Sequence, residues 1–138
     1  MKYPRIKPLT YQEAIRFHGH EGPFLALGYR FGSYLIDEFK SESIKGLAIH
    51  ITIPMRTPYS CFIDGVQCSA CTTMGKRNLS AEESGGESIG ARVSRGEETA
   101  VFAMTEKAID ICRNSPNMET AVKAIFENSP EYLWNRIE

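Results

Sequence analysis

Two short stretches hold most of the side chains able to do chemistry. RFHGHEGP (16–23) carries His18 and His20 around a glycine, and SCFIDGVQCSAC (60–71) carries Cys61, Cys68 and Cys71. Imidazole nitrogen and thiolate sulfur are the usual ligands of zinc and related borderline metals, so the chemistry to expect is metal ligation. Cys61 and Cys68 are seven residues apart and share a face if the segment is helical; Asp64, three after Cys61, joins that face. A carboxylate there is a ligand or a proton acceptor. Cys68-Ser69-Ala70-Cys71 is a C-x-x-C, able to pinch a metal or to form a redox pair. Lys76, between Gly75 and Arg77, is either a cation facing an anionic group or part of a solvated loop.

Each residue also has a plain structural reading. The two histidines suit a turn, and the helix cysteines suit a core. His50, among the apolar residues of LAIHITIP (47–54), reads as a sheet-face histidine, and Cys112 as an apolar filler. Several familiar sites are excluded. A zinc deaminase needs H-x-E and P-C-x-x-C, whereas Glu21 directly follows His20 and Gln67 stands in the proline's place. A thioredoxin-like C-x-x-C opens a helix, and this one closes one. Gly85, Gly86 and Gly90 match neither the dinucleotide nor the P-loop pattern.

The elements that must position these residues follow from local pattern. Thr10-Tyr11-Gln12-Glu13 has the form of a capping box opening a helix, which Gly19, Gly22 and Pro23 then break. Pro23 suits the first turn of a second helix over FLALGYRFGSYLIDEFK, where Gly28 and Gly32 share a face that another backbone can approach. Residues 47–54 alternate and read as a buried strand. Ser60 is the expected N-cap of the cysteine helix. TTMGKRNLSAEESGGES (72–88) reads as one long loop, IGARVSR and ETAVFAM as a hairpin around Arg95-Gly96-Glu97. Thr105 caps a helix through Cys112, and two short helices start near Asn117 and Ser129-Pro130. The expectation is an α+β fold with helices on an antiparallel sheet.

With 138 residues the chain is expected to form one domain, 1–138. Sixteen basic residues against seventeen acidic ones give a net charge of −1, which argues against nucleic-acid binding through bulk electrostatics. No run spans a bilayer and Met1-Lys2-Tyr3-Pro4 does not start a signal peptide, so a cytoplasmic protein with reduced thiols is expected.

FHGHEGPFLALGYRFG (17–32) and CFIDGVQCSACTTMGKRNL (61–79) together resemble the FmdE family, named for a component of formylmethanofuran dehydrogenase. Its pattern is F-H-G-H-x-C-P-G with A-L-G-Y-R, then C-x-x-D-x-x-Q and G-C-T-x-G-K-x-N-L. The resemblance implies an α+β core forming intertwined homodimers, with a polar pocket, often associated with a metal, where the histidine turn meets the cysteine helix. Some members carry a further zinc-finger domain; no cysteine follows Cys112, which fits a core-only member. Two departures stand out. Gly22 replaces the cysteine of H-G-H-x-C-P, and Ala70 the glycine before Cys71, while Cys68 is an added thiol that either substitutes for the missing ligand or leaves the site weakened.

The expected site is therefore His18, His20, Cys61 and Cys71 as ligands of a divalent metal, zinc foremost. Asp64 and Lys76 are the catalytic candidates, with a small anionic ligand in the pocket and a link to one-carbon metabolism. The alternatives are a non-catalytic accessory module of a redox complex and a thiol sensor using Cys68 and Cys71.

Overall fold

The computed structural model describes residues 3–138. Helices α1 (Tyr11–His18) and α2 (Pro23–Phe39) lead into strand β1 (Ala48–Ile53). Helix α3 (Cys61–Ala70) and strand β2 (Leu79–Glu83) follow, then the hairpin β3 (Gly90–Arg95) and β4 (Glu98–Met104). Helices α4 (Glu106–Asn114), α5 (Met118–Glu127) and α6 (Pro130–Leu133) precede a final strand β5 (Trp134–Arg136).

The expected capping box is present: Glu13 N–H donates to Thr10 Oγ1 at 3.1 Å and Thr10 N–H to Glu13 Oε1 at 2.9 Å. Pro23 occupies the first turn of α2, where its missing N–H costs nothing. Ser60 precedes α3 but its side chain makes no capping bond, because its own backbone is already helical at ψ −14°.

The sheet has the order β2-β1-β3-β4-β5 and is open. One face is apolar and covered by helices: Ile49, Ile51 and Ile53 of β1, Ala91 and Val93 of β3, and Ala100, Phe102 and Met104 of β4 are all buried. The alternate positions His50, Thr52, Arg92 and Ser94 lie on the other face, as period-two geometry requires.

Two sequence expectations need correction here. The sheet is mixed: β1 pairs antiparallel with β3 but parallel with β2, Ile49 opposite Leu79 and Ile51 opposite Ala81. Residues 79–83 are thus a strand inside the expected long loop. LSAEE turns only Leu79 and Ala81 inward and leaves its polar side chains to water, which is how edge strands avoid further pairing. The helix α3 connecting β1 to β2 supplies the crossover that a parallel pair needs. The glycine face of α2 is approached by another backbone, as the spacing of Gly28 and Gly32 leads one to expect. It is filled within the chain by α3. A methyl placed at Gly28 would lie 2.8 Å from the Phe62 carbonyl carbon, and one at Gly65 would lie 2.9 Å from the Gly28 carbonyl carbon. Backbone therefore meets backbone where the two helices cross.

No helix among the described residues is long and apolar enough to cross a membrane.

Candidate metal centre

Helix α1 stops at His18 because Gly19 adopts φ +108°, a left-handed conformation that a side chain would strain, while its N–H closes the last turn on Ile15 at 2.8 Å. The reversal folds His20 back, so that the two imidazole centroids are 4.8 Å apart. Helix α3 begins with Cys61 against this turn. One ligand atom from each of His18, His20 and Cys61 lies within 4.8 Å of the other two.

Hydrogen bonding fixes which ring nitrogens are free. His20 Nδ1 is 2.9 Å from the Glu21 carbonyl oxygen; a carbonyl only accepts, so Nδ1 carries the proton. His18 Nδ1 is 2.6 Å from Asp64 Oδ2, and a carboxylate accepts in the same way. Each neutral ring is thereby left with a lone pair on Nε2. His18 Nε2 is buried and has no hydrogen-bond partner. A buried nitrogen without a partner loses its hydration for no return, at a cost of about 1–3 kcal/mol. A cation between the three residues would remove that cost, and a carboxylate on the far nitrogen is the usual support of a metal-bound histidine. The donor set fits a divalent metal.

Asp64 is in turn held. Gln67 Nε2 donates to its Oδ1 at 3.3 Å, and Gln67 Oε1 accepts from Met74 N–H at 3.1 Å. Both carboxylate oxygens are engaged. A chain of contacts therefore runs from the loop after α3, through Gln67 and Asp64, to His18. Gln67 enters the sequence reading only as a mismatch to the deaminase pattern and through the family pattern, although its i, i+3 spacing from Asp64 would have placed the two side by side on a helix. Burial first, and then the Asp64 charge, push the Cys61 thiol up from its ordinary range.

The remaining expected residues lie outside this group. Cys68 shares the angular face of Cys61 but sits two helical turns along α3, about 10 Å farther on at the ordinary rise. It is buried, and burial pushes its thiol up to about 11. It does not replace the thiol missing at Gly22. Cys71 ends α3 in a left-handed conformation, φ 56°. Its neighbours are the Lys7 backbone and the Lys76 ammonium, and burial outweighs both in raising its thiol. Lys76 Nζ donates to Thr73 Oγ1 at 3.2 Å; burial lowers its pKa, with Cys71 opposing and the nearby Lys45 adding to the fall. Cys71 and Lys76 are thus near enough to influence one another's charge, and neither belongs to the histidine group. The four cysteines are free thiols. His50 is the expected sheet-face residue, held by Ser80 at 2.7 Å and Glu82 at 2.8 Å.

No curated protein matches the chain. The family model described as "FmdE, Molybdenum formylmethanofuran dehydrogenase operon" matches residues 17–133, a span that contains both histidines, Cys61, Asp64 and the whole sheet apart from β5. The chain belongs to the FmdE family.

Proposed function

We propose that this FmdE-family chain binds one divalent metal ion, zinc foremost, through His18 Nε2, His20 Nε2 and the Cys61 thiolate. The observation that carries the reading is the buried, unpartnered His18 Nε2, whose opposite nitrogen is held by Asp64. Two imidazoles and a thiolate suit zinc better than the oxygen-seeking ions. When bound, such an ion supplies a Lewis-acidic charge at the mouth of the turn. Asp64 is a positioning residue: it fixes the tautomer and orientation of His18, and acting as a general base would require it to release Gln67 or the imidazole. Cys71 and Lys76 are a second polar pair, outside the proposed ligand set. The setting we propose is cytoplasmic, as a homodimer serving one-carbon chemistry of the kind the family name describes.

Metal analysis of protein purified without added metal tests this. About one equivalent of zinc per chain is expected, falling below about a tenth in His18→Ala and in Cys61→Ala, because structural and catalytic sites bind tightly enough to survive purification. A wild-type protein that stays metal-free after incubation with zinc would overturn the reading.

A second reading, a non-catalytic accessory module docked on a redox complex, draws on two exposed apolar side chains. Phe17, 59% exposed, precedes His18, and Met74, 65% exposed, lies in the loop that holds Gln67. A stoichiometric partner retained by metal-free protein and lost from a Phe17→Ser, Met74→Ser variant would favour it.

A further inference from the structure

The sheet face away from the helices carries a second constellation. His50 on β1 lies opposite Ser80 on β2, with Glu82 two residues on and therefore on the same face. His50 Nε2 is 2.8 Å from Glu82 Oε1; a carboxylate only accepts, so in the neutral ring the proton sits on Nε2. Nδ1 is left with a lone pair and accepts the Ser80 hydroxyl at 2.7 Å. A hydroxyl bonded to a base, whose far nitrogen is held by a third group, is the arrangement that activates a serine. Ser80 and Glu82 are exposed and His50 is half-buried, so a substrate can reach them.

A cleft of about 120 Å³ opens beside the hydroxyl, lined by Ser80, His50, Arg77, Arg92 and Ser94 among others. It has room for a few waters or one short acyl group. Arg92 is the cross-strand neighbour of His50 on β3, so its side chain stands on the same face. Neither arginine forms an ion pair among the described residues. The cleft is therefore positive, and a guanidinium is at hand for the charge that builds on a carbonyl oxygen under attack.

We infer that Ser80 is a nucleophile, with His50 its base and Glu82 the residue that orients the ring, in a site that hydrolyses short esters bearing an anionic group. Ser80 Oγ bonds to the acyl carbon while its proton passes to His50 Nδ1. The bond from that carbon to the alcohol oxygen breaks, and the alcohol leaves with the proton from His50. Water then attacks the Ser80 ester, giving a proton to His50, and the acid departs as Ser80 regains its hydrogen. The site shares no residue with the metal centre.

Para-nitrophenyl acetate and its ring-carboxylated analogue provide the test. Acid-quenched wild-type protein is expected to carry an acetyl group on Ser80, found by peptide mass mapping. It should release nitrophenolate at least about tenfold faster than Ser80→Ala, and His50→Gln and Glu82→Gln should slow release by at least as much. Relative to its hydrolysis in buffer, the carboxylated ester should react faster than the neutral one, and should lose that advantage in Arg92→Met. His18→Ala should retain every one of these responses. A release rate unchanged in Ser80→Ala, or acetyl groups on lysines and none on Ser80, overturns the inference. Hydrolysis lost in His18→Ala and kept in Ser80→Ala belongs to a bound metal, and likewise overturns it. Equal relative rates for the two esters overturn the anionic substrate class. Where circular dichroism shows a variant unfolded, the acetyl map of wild type decides the matter.

Discussion

Replacing Gly28 with alanine asks the most of the arrangement that brings the site together. The added methyl would stand 2.8 Å from the Phe62 carbonyl carbon and 3.0 Å from its Cα, and would overlap the carbonyl oxygen outright. Ordinary contact begins near 3.4 Å, so α2 and α3 must separate by at least about 0.6 Å. The obstacle is backbone, which cannot rotate aside as the end of a side chain can. Overpacking of this kind costs about 1–3 kcal/mol and occasionally more. Against it stands the gain from removing a helix-interior glycine, about 1 kcal/mol at most. The clash wins, because Phe62 and Val66 of α3 are fully buried in the core, which resists a shift of the helix. We expect a loss of at least about 1–2 kcal/mol by urea unfolding, with Gly86→Ala as control; Gly86 is exposed with nothing within 4 Å of a methyl, and should stay within about 0.5 kcal/mol. Cys61 adjoins Phe62, so the same displacement moves a proposed ligand and should weaken zinc binding at temperatures where the variant is still folded. A Gly28→Ala protein within about 0.5 kcal/mol of wild type would refute the close approach of the two helices.

Other outcomes follow from single contacts. Asp64→Ala removes the 2.6 Å partner of His18 from a position that is partly exposed, so the fold should persist while zinc affinity, measured against a chelator of known strength, falls about 10–100-fold. A change below about twofold would deny Asp64 its positioning role. Thr10→Ala should cost about 1 kcal/mol through its lost cap, whereas Ser60→Ala should be nearly neutral because Ser60 makes no capping bond. Equal losses in thermal unfolding would contradict this. Burial pushes Cys112 up to about 12, so the folded protein keeps a proton that the unfolded chain releases near 9. That contribution is whole below about pH 9 and is lost as pH rises toward 12, by up to about 1.4 kcal/mol per unit. Cys112→Ala should therefore flatten the alkaline limb of stability against pH, and an unchanged limb would mean that the surroundings of this half-buried residue do not hold the proton on its thiol.

The elements around the site were legible where punctuation is local. Thr10 with Glu13, Gly19, Pro23, Thr105 and Asn117 each mark a helix end through bonds that span only a few residues, and each helix stands where they put it. Strand β2 was not legible, since LSAEE has two weak apolar positions and its partner β1 is reached only through α3. Strand β5, three residues long, depends on β4 in the same way.

The site divides along the same line. That histidines and a cysteine belong together could be argued from ligand type, but angular phase on a helix says nothing of height. Cys61, Cys68 and Asp64 share a face by spacing, yet two turns of rise carry Cys68 away from the histidines, while Asp64, within one turn of Cys61, reaches His18. Nor could any spacing reveal which imidazole nitrogen is free. That is set by a carboxylate 46 residues away for His18 and by the neighbouring Glu21 carbonyl for His20. The chemistry of the centre thus depends less on the donors themselves than on what occupies their other sides. Gln67 matters for this reason, since it ties the Asp64 carboxylate to the Met74 amide and limits its freedom to turn away. Removing Gln67 should loosen His18 without deleting a ligand, a smaller loss of zinc affinity than Asp64→Ala produces; a loss as large or larger would make Gln67, rather than Asp64, the residue that sets the ring.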